Sequence, residues 1–233
     1  MLILLKHGLA NRLRTIAGYW YVADQLGEKI TFHWDTENQE CNGAWEEVFE
    51  PLSLIISQPK DATLKYDFIG QNTIDRIIKN HFPEEARATW NSPLIQAIEE
   101  EYYARFKICF NVLQRVFEVL PIEPFAAVHI RRTDHVVLAK EADKYTTFYD
   151  FDQFIAEHQT IYLATDSRDV QLKYPGLLKN IQIPLSTSLR QTSLMDAMVD
   201  ILICSHAAFF KGSGYSSFSH LVDIYNRLNS QVD

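Results

Sequence analysis

The sequence predicts an α/β fold made of two αβ halves, and three observations carry that prediction. Short apolar runs of strand length recur at residues 2–5, 30–34, 125–130, 160–165 and 207–210, and helical stretches are interleaved with them. Several of these runs end in glycine or in a polar cluster, at the strand end where open α/β sheets bind ligands. At 233 residues the chain can form one large domain or two of roughly 110. The pattern places the boundary near Leu120, giving halves 1–120 and 121–233.

In the first half, the run 2–5 reads as a strand, and a turn at Gly8 leads into a helix. Leu13, Ile16, Ala17, Trp20 and Tyr21 keep the helical period until Gly27 stops it. Strand, glycine turn and helix open a nucleotide-type αβ unit, whose first amides can meet phosphate. Taken alone, Gly8 is more often just a tight turn, Asn11 a helix cap and Arg12 a solvated side chain. Residues 30–34 form a second strand, 35–43 a polar loop and 45–49 a short helix before Pro51. Residues 52–82 carry no clear period. From 94 to 120, Leu94, Ile98, Tyr102, Phe106, Phe110, Leu113 and Phe117 fit one face of a long helix. Glu99, Glu100 and Glu101 read as its solvated side.

The second half opens on Phe125-Ala-Ala-Val-His-Ile-Arg-Arg-Thr-Asp-His135, an apolar strand that ends in titratable groups. Two adjacent arginines there call for a polyanion, and phosphate suits a guanidinium fork. The plainer alternative is a pair salt-bridged to local carboxylates. A loop at 136–147 follows, carrying Glu141. Asp150 and Asp152 spell Asp-x-Asp, a metal motif elsewhere, but they precede Phe154 and Ile155 at a helix start and read as cap and first-turn charge. The strand 160–165 ends in Asp166, which reads as a ligand-facing carboxylate or as the cap of a helix at 167–173. Ile181 to Ile183 is a third short strand, and 192–205 an amphipathic helix with Asp196 and Asp200 on its polar side. The run 207–210 is a fourth strand. It leads into a Gly/Ser-rich turn, an anion cradle, and a last helix to about Leu228.

Composition narrows the function. Apolar residues at 47% and charged ones at 22% are ordinary for a soluble globular protein. A net charge of −8 argues against nucleic-acid partners and anionic membranes, so an anionic ligand must be held by a local basic site. Cys41, Cys109 and Cys204 are odd in number and far apart, which suits reduced thiols in a cytosol and no metal site. The N-terminal apolar run is too short for a signal peptide or membrane span, so a cytoplasmic location is expected.

The string His129-x-Arg131-Arg132-Thr133-Asp134 resembles the arginine motif of the fucosyltransferase superfamily that includes the α-1,6-, peptide-O- and nodulation-type enzymes. Gly8-Leu-Ala-Asn-Arg-Leu13 is similar to that family's Gly-x-Gly-Asn-Arg-Leu, with Ala10 in place of the second glycine. Tyr162-Leu-Ala-Thr-Asp166 matches a further segment, and Ser213, Ser216 and Ser217 lie where the family has a serine-rich one. The resemblance implies the glycosyltransferase B fold in compact form: two Rossmann-like halves facing a cleft, the first on the acceptor side and the second binding the nucleotide sugar. It implies inverting transfer of fucose from GDP-fucose to a hydroxyl of a glycan or protein, with no metal or cofactor. Arg131 and Arg132 would stabilise the departing diphosphate, and Asp166 would accept from guanine. Gly8, Asn11, Arg12, His129, Asp134, Ser213, Ser216 and Ser217 would complete the donor site. In the family a lysine follows the Thr-Asp, and a glutamate a few residues on serves as base. Here His135 and Glu141 are the two candidates. Two competing readings are the same fold with another nucleotide sugar, and a nucleotide- or glycan-binding protein without catalysis.

Overall fold

Strands β1 (Leu2–Leu5) and β2 (Thr31–Trp34) pair in parallel, with Leu2 opposite Thr31 and Leu5 opposite Trp34. A parallel pair needs a crossover, and helix α1 (Leu9–Leu26) supplies it. The computed structural model that shows this describes residues 1–5, 7–36, 41, 43–56, 73–85, 89, 92–132, 136–184 and 192–231. The chain divides into two compact units, Met1–Cys109 and Phe110–Asp233.

In the first unit α1 buries Leu9, Leu13, Ile16 and Ala17, and Gly27 ends it in the left-handed region at φ 65°. Gly18 lets α2 (Ile74–His81) approach closely, since a Cβ there would lie 2.7 Å from the Ile77 side chain. Strand β3 (Ile55–Ile56) extends the parallel sheet in the order β1-β2-β3. Helix α3 (Pro93–Tyr103) is capped by the Ser92 hydroxyl. It is tied to α1 through Asp24, which accepts from the Tyr102 hydroxyl at 2.8 Å and from Arg105 at 2.9 Å.

The long helix expected over 94–120 is instead two helices. Between α3 and α4 (Phe110–Val119) the chain extends, and Phe49 and Ile108 form an antiparallel bridge. The Glu50 N–H donates to the Lys107 carbonyl, and the Cys109 N–H to that of Val48. Phe106 is the reason for the break. It leaves the helical stripe to join Trp45, Phe49 and Tyr103 in an aromatic cluster. Phe110 and Phe117, which fit the helical period, are 79% and 77% exposed. The division between units falls at Cys109, before position 120, because α4 packs against the helix at Leu194–Ser205 of the second unit. Glu99, expected on a solvated side, is buried. The helix expected at 45–49 is a single 3-10 turn over Trp45–Glu47.

The second sheet places β4 (Ala126–Ile130) between β5 (Ile161–Thr165) and β6 (Phe209–Gly212), all parallel. Ala126, Val128 and Ile130 pack with Phe151, Leu163 and Val170 in one core, which uses helices α6 (Phe148–Ala156) and α7 (Arg168–Lys173). Helix α8 (Leu194–Ser205) packs on β4 and β5, and α9 (Ser217–Asn229) packs on α8. The loop expected at 136–147 contains helix α5 (Val136–Glu141). Ile181 to Ile183 is no strand. It is held by side chains, with the Gln171 amide donating to the Ile181 carbonyl and accepting from the Ile183 N–H. β6 begins two residues later than expected, at Phe209. Asp200, expected on a polar helix side, is buried, because helices cover α8 as well as the sheet. No helix among the described residues is long and apolar enough to cross a membrane.

Candidate functional site

Three parallel strands end side by side in the second unit, and each delivers a polar residue: Arg131 after β4, Asp166 after β5 and Ser213 after β6. Side chains stitch these ends together. The Arg131 N–H donates to Ser213 Oγ at 2.9 Å, and both the hydroxyl and the N–H of Ser213 donate to the His129 carbonyl. The Arg132 N–H donates to Asp166 Oδ1 at 3.2 Å, while Arg131 Nε lies 3.7 Å from Oδ2. Ser167, not Asp166, holds the cap position of α7, and its side chain makes no capping bond. The Asp166 carboxylate is thus turned to the arginine loop rather than to a helix.

His129 is buried beneath this edge and stacks on Phe218 at 4.1 Å. Its Nδ1 lies 2.9 Å from Ser219 Oγ, whose proton goes to the Ser213 carbonyl. With its proton on that carbonyl, Ser219 accepts from His129 Nδ1–H. The imidazole supports the strand ends from below.

Arg132 is enclosed. Its guanidinium donates to the carbonyls of Thr146 at 2.7 Å and Arg131 at 3.1 Å. It lies over the rings of Phe148, Tyr145 and Phe151 at 4.6, 4.9 and 5.5 Å. Its Nε is buried with no hydrogen-bond partner among the described residues. Thr146 also accepts, at Oγ1, from the Gly214 N–H at 2.9 Å. A Cβ at Gly214 would overlap the Lys144 carbonyl, so this close approach requires glycine. Arg131, Arg132, Tyr145, Thr146, Ser213 and Gly214 line one small pocket.

Past Gly214 the chain enters α9. Ser216 holds the cap position without a side-chain capping bond, and its hydroxyl is buried with no partner among the described residues. Ser217 is the first residue of the helix. A helix N-terminus with open donors is an anion site. Tyr215, just before it, has φ 60°, and His7 and Asp143 share the left-handed region at 70° and 52°. For a residue with a Cβ this costs roughly 1–2 kcal/mol.

Glu141 is exposed at the last position of α5. Asp134 and His135 lie outside the described residues. Asp150 forms a capping box with Thr147, whose hydroxyl and N–H hold its carboxyl below the usual range. Asp152 accepts from the Tyr174 hydroxyl at 2.6 Å and pairs with Lys173, which lowers it likewise.

In the first unit Gly8 is the N-cap of α1 in ordinary extended geometry, and its carbonyl accepts from the N–H groups of Asn11 and Arg12. Asn11 is thus inside the helix, where Oδ1 accepts from Arg14. Arg12 is not solvated. It is fully buried, donates to the carbonyls of His7 and Asp35 at 2.7 Å each, and lies 4.6 Å from the Trp34 ring. It joins the ends of β1 and β2, as Ser213 joins β4 and β6.

Sequence reasoning missed Thr146, Tyr145, Gly214 and Ser219. The Thr147-x-x-Asp150 box was a readable signal for the start of α6. The stitching of residues 144–147 to β6 joins segments far apart in the chain and has no local signature.

No protein-family model matches the chain, and no curated protein matches it by sequence. Its fold does match solved structures. The NodZ α-1,6-fucosyltransferase soaked with GDP-fucose superposes with a TM-score of 0.56 at 16% identity, covering 96% of this chain and 92% of that one. Fucosyltransferase NodZ from Bradyrhizobium gives 0.54 at 15% identity, with coverages of 95% and 92%. POFUT1 in complex with GDP gives 0.57 at 12% identity, with coverages of 96% and 93%. At such identities the likeness is one of fold, and the mixed α/β architecture with parallel sheets expected from the sequence is the one shared.

Proposed function

We propose that this chain is a fucosyltransferase-superfamily enzyme that transfers fucose from GDP-fucose to a hydroxyl of a glycan or protein, with inversion and without a metal ion. The observation that carries the reading is the open N-terminus of α9. The buried Ser216 hydroxyl, which has no hydrogen-bond partner among the described residues, sits there, beside the strand ends that bear Arg131 and Asp166. Phosphate oxygens would supply what that hydroxyl and the first amides of α9 lack.

In this reading Arg131 and Arg132 meet the charge that develops on the diphosphate as the glycosidic bond breaks. Asp166 accepts from the guanine N1–H and amine, His129 supports that edge from below, Asp134 is a further donor contact, and Ser213, Ser216 and Ser217 hold phosphate or sugar. The first unit serves the acceptor side, with Gly8, Asn11 and Arg12 completing the donor site; Arg12 contributes by fixing the Gly8 turn. Inversion takes a single displacement, in which His135 or Glu141 removes the acceptor proton. Metal independence is supported by the carboxylates of Asp150 and Asp152, which are occupied by a capping box and by Tyr174 and Lys173.

Calorimetric titration of GDP with and without chelator tests the reading. Equal affinity in both is expected, and an affinity that collapses in chelator overturns metal independence. A panel of nucleotide sugars with product analysis separates fucose from other donors. The competing reading of a binder without turnover draws on Ala10 and on the enclosure of Arg132. Binding of GDP-fucose with no transfer or hydrolysis would favour it.

A further inference from the structure

We propose that Thr146 is a positioning residue of the donor site, which sets the turn between β6 and α9 for the diphosphate by holding the Gly214 N–H. The inference rests on the donor reading above and adds to it the group that keeps the phosphate end of the site in place.

Thr146 bonds to two parts of the site at once. Its carbonyl accepts from Arg132 Nη2 at 2.7 Å, and its Oγ1 accepts from the Gly214 N–H at 2.9 Å. The arginine follows β4 and the glycine follows β6, so this one residue joins the central strand end to a flanking one. Thr146 is in turn anchored by its neighbour. Thr147 caps α6 in a reciprocal box with Asp150, and α6 buries Phe151 in the core that β4 shares. A side chain supported by a rigid element fixes its partners better than one on a loop.

The bond to Gly214 matters because of the peptide group it belongs to. The Ser213 carbonyl and the Gly214 N–H are opposite ends of one planar unit. Ser219 Oγ donates to that carbonyl at 3.2 Å, while Thr146 Oγ1 takes the N–H. Two side chains thus hold the plane from both ends. The unit lies past the end of β6 at Gly212 and before the start of α9 at Ser217. Glycine restricts its own dihedrals less than any other residue, so the two bonds supply the rigidity that the chain there does not. Two residues on, the buried Ser216 hydroxyl, which has no hydrogen-bond partner among the described residues, stands at the start of α9. The direction in which that hydroxyl and the first amides of α9 point follows from the plane that precedes them.

The test is titration of the full chain with GDP and with guanosine, in wild type, Thr146→Val and Thr146→Ser. Valine keeps the branched shape and loses the acceptor, whereas serine keeps the acceptor and loses a methyl group. Guanosine carries the base and ribose without phosphate, so it reports on the Asp166 edge and on folding. Guanosine affinity should stay within about twofold in all three proteins. Thr146→Val should weaken GDP roughly tenfold, and Thr146→Ser should leave it within about twofold of wild type. A valine variant with the wild-type ratio of GDP to guanosine affinity overturns the assignment, whether the two affinities are unchanged or fall together. So does a serine variant as weak for GDP as the valine one. A wild type that binds neither ligand, or binds GDP no better than guanosine, removes the donor reading itself, and this assignment with it.

Discussion

Arg131 and Arg132 are neighbours in sequence, yet their surroundings ask different things of them. Arg131 pairs loosely with Asp166 at 3.7 Å, a contact that an arriving diphosphate can outcompete. Arg132 is bound to two carbonyls and three rings, so its removal orphans the Thr146 carbonyl and loosens residues 144–147. Arg131→Ala should lower turnover about a hundredfold with the melting temperature nearly unchanged. Arg132→Ala should lower turnover and also cost about 1–3 kcal/mol of stability, or a drop of roughly 2–4 °C per kcal/mol in a melting scan. Equal melting temperatures for the two variants would contradict the division. Asp166→Asn separates another pair of roles. It should erase most of the preference for GDP over UDP, at a cost on the order of 1–3 kcal/mol in GDP binding, because the new amide sets a donor against the guanine donors. Competition titration of the two nucleotides reads the outcome, and an unchanged ratio would end the guanine assignment.

At the scale of elements, the site is made by turns rather than by helices or strands. Gly214 is the tightest of these, and Gly214→Ala must move the Lys144 carbonyl. It should cost about 1–3 kcal/mol and weaken GDP binding together, measured by thermal melting and calorimetry on the same sample. A variant with wild-type values for both would show that the turn yields without consequence. The strand ends were legible in sequence because an apolar run that stops at Arg131 or Asp166 has few other meanings in an α/β chain. The split between α3 and α4 was not, because Phe110 and Phe117 obey the helical period while facing solvent. Periodicity reports which residues share a face, not whether anything covers that face. Arg12 and Asp200 erred in the opposite direction. Both are charged residues on helices, and only the tertiary contacts place them inside: Arg12 against two carbonyls and a ring, Asp200 against Tyr162.

For the whole molecule, Asp200 makes stability depend on pH. Burial pushes its carboxyl up to about 7, with Asp196 adding to the shift and the Tyr162 hydroxyl, 2.5 Å away, opposing it. The unfolded chain releases that proton near pH ~3.9. Between those values the folded state binds more protons at Asp200 than the unfolded one, so the contribution of this group is fully present below the lower value and is lost as pH rises through about 7. Asp200→Asn should flatten that part of the melting-temperature profile, and a slope identical to wild type would assign it to other groups. The central position of β4 reaches further, into how the chain is made. β4 leaves the ribosome before either neighbour exists, and Ser213, which secures Arg131, follows 82 residues later. At about 5–20 residues per second, that leaves roughly 4–16 s in which the β6-facing edge of an apolar strand is bare. Trp20, Trp34 and Trp45 belong to the first unit and Trp90 falls within its sequence range, so tryptophan emission reports on that unit. In refolding from denaturant the tryptophan signal and the capacity to bind GDP should recover with separate time courses, because the first reports Met1–Cys109 and the second the proposed donor site in Phe110–Asp233.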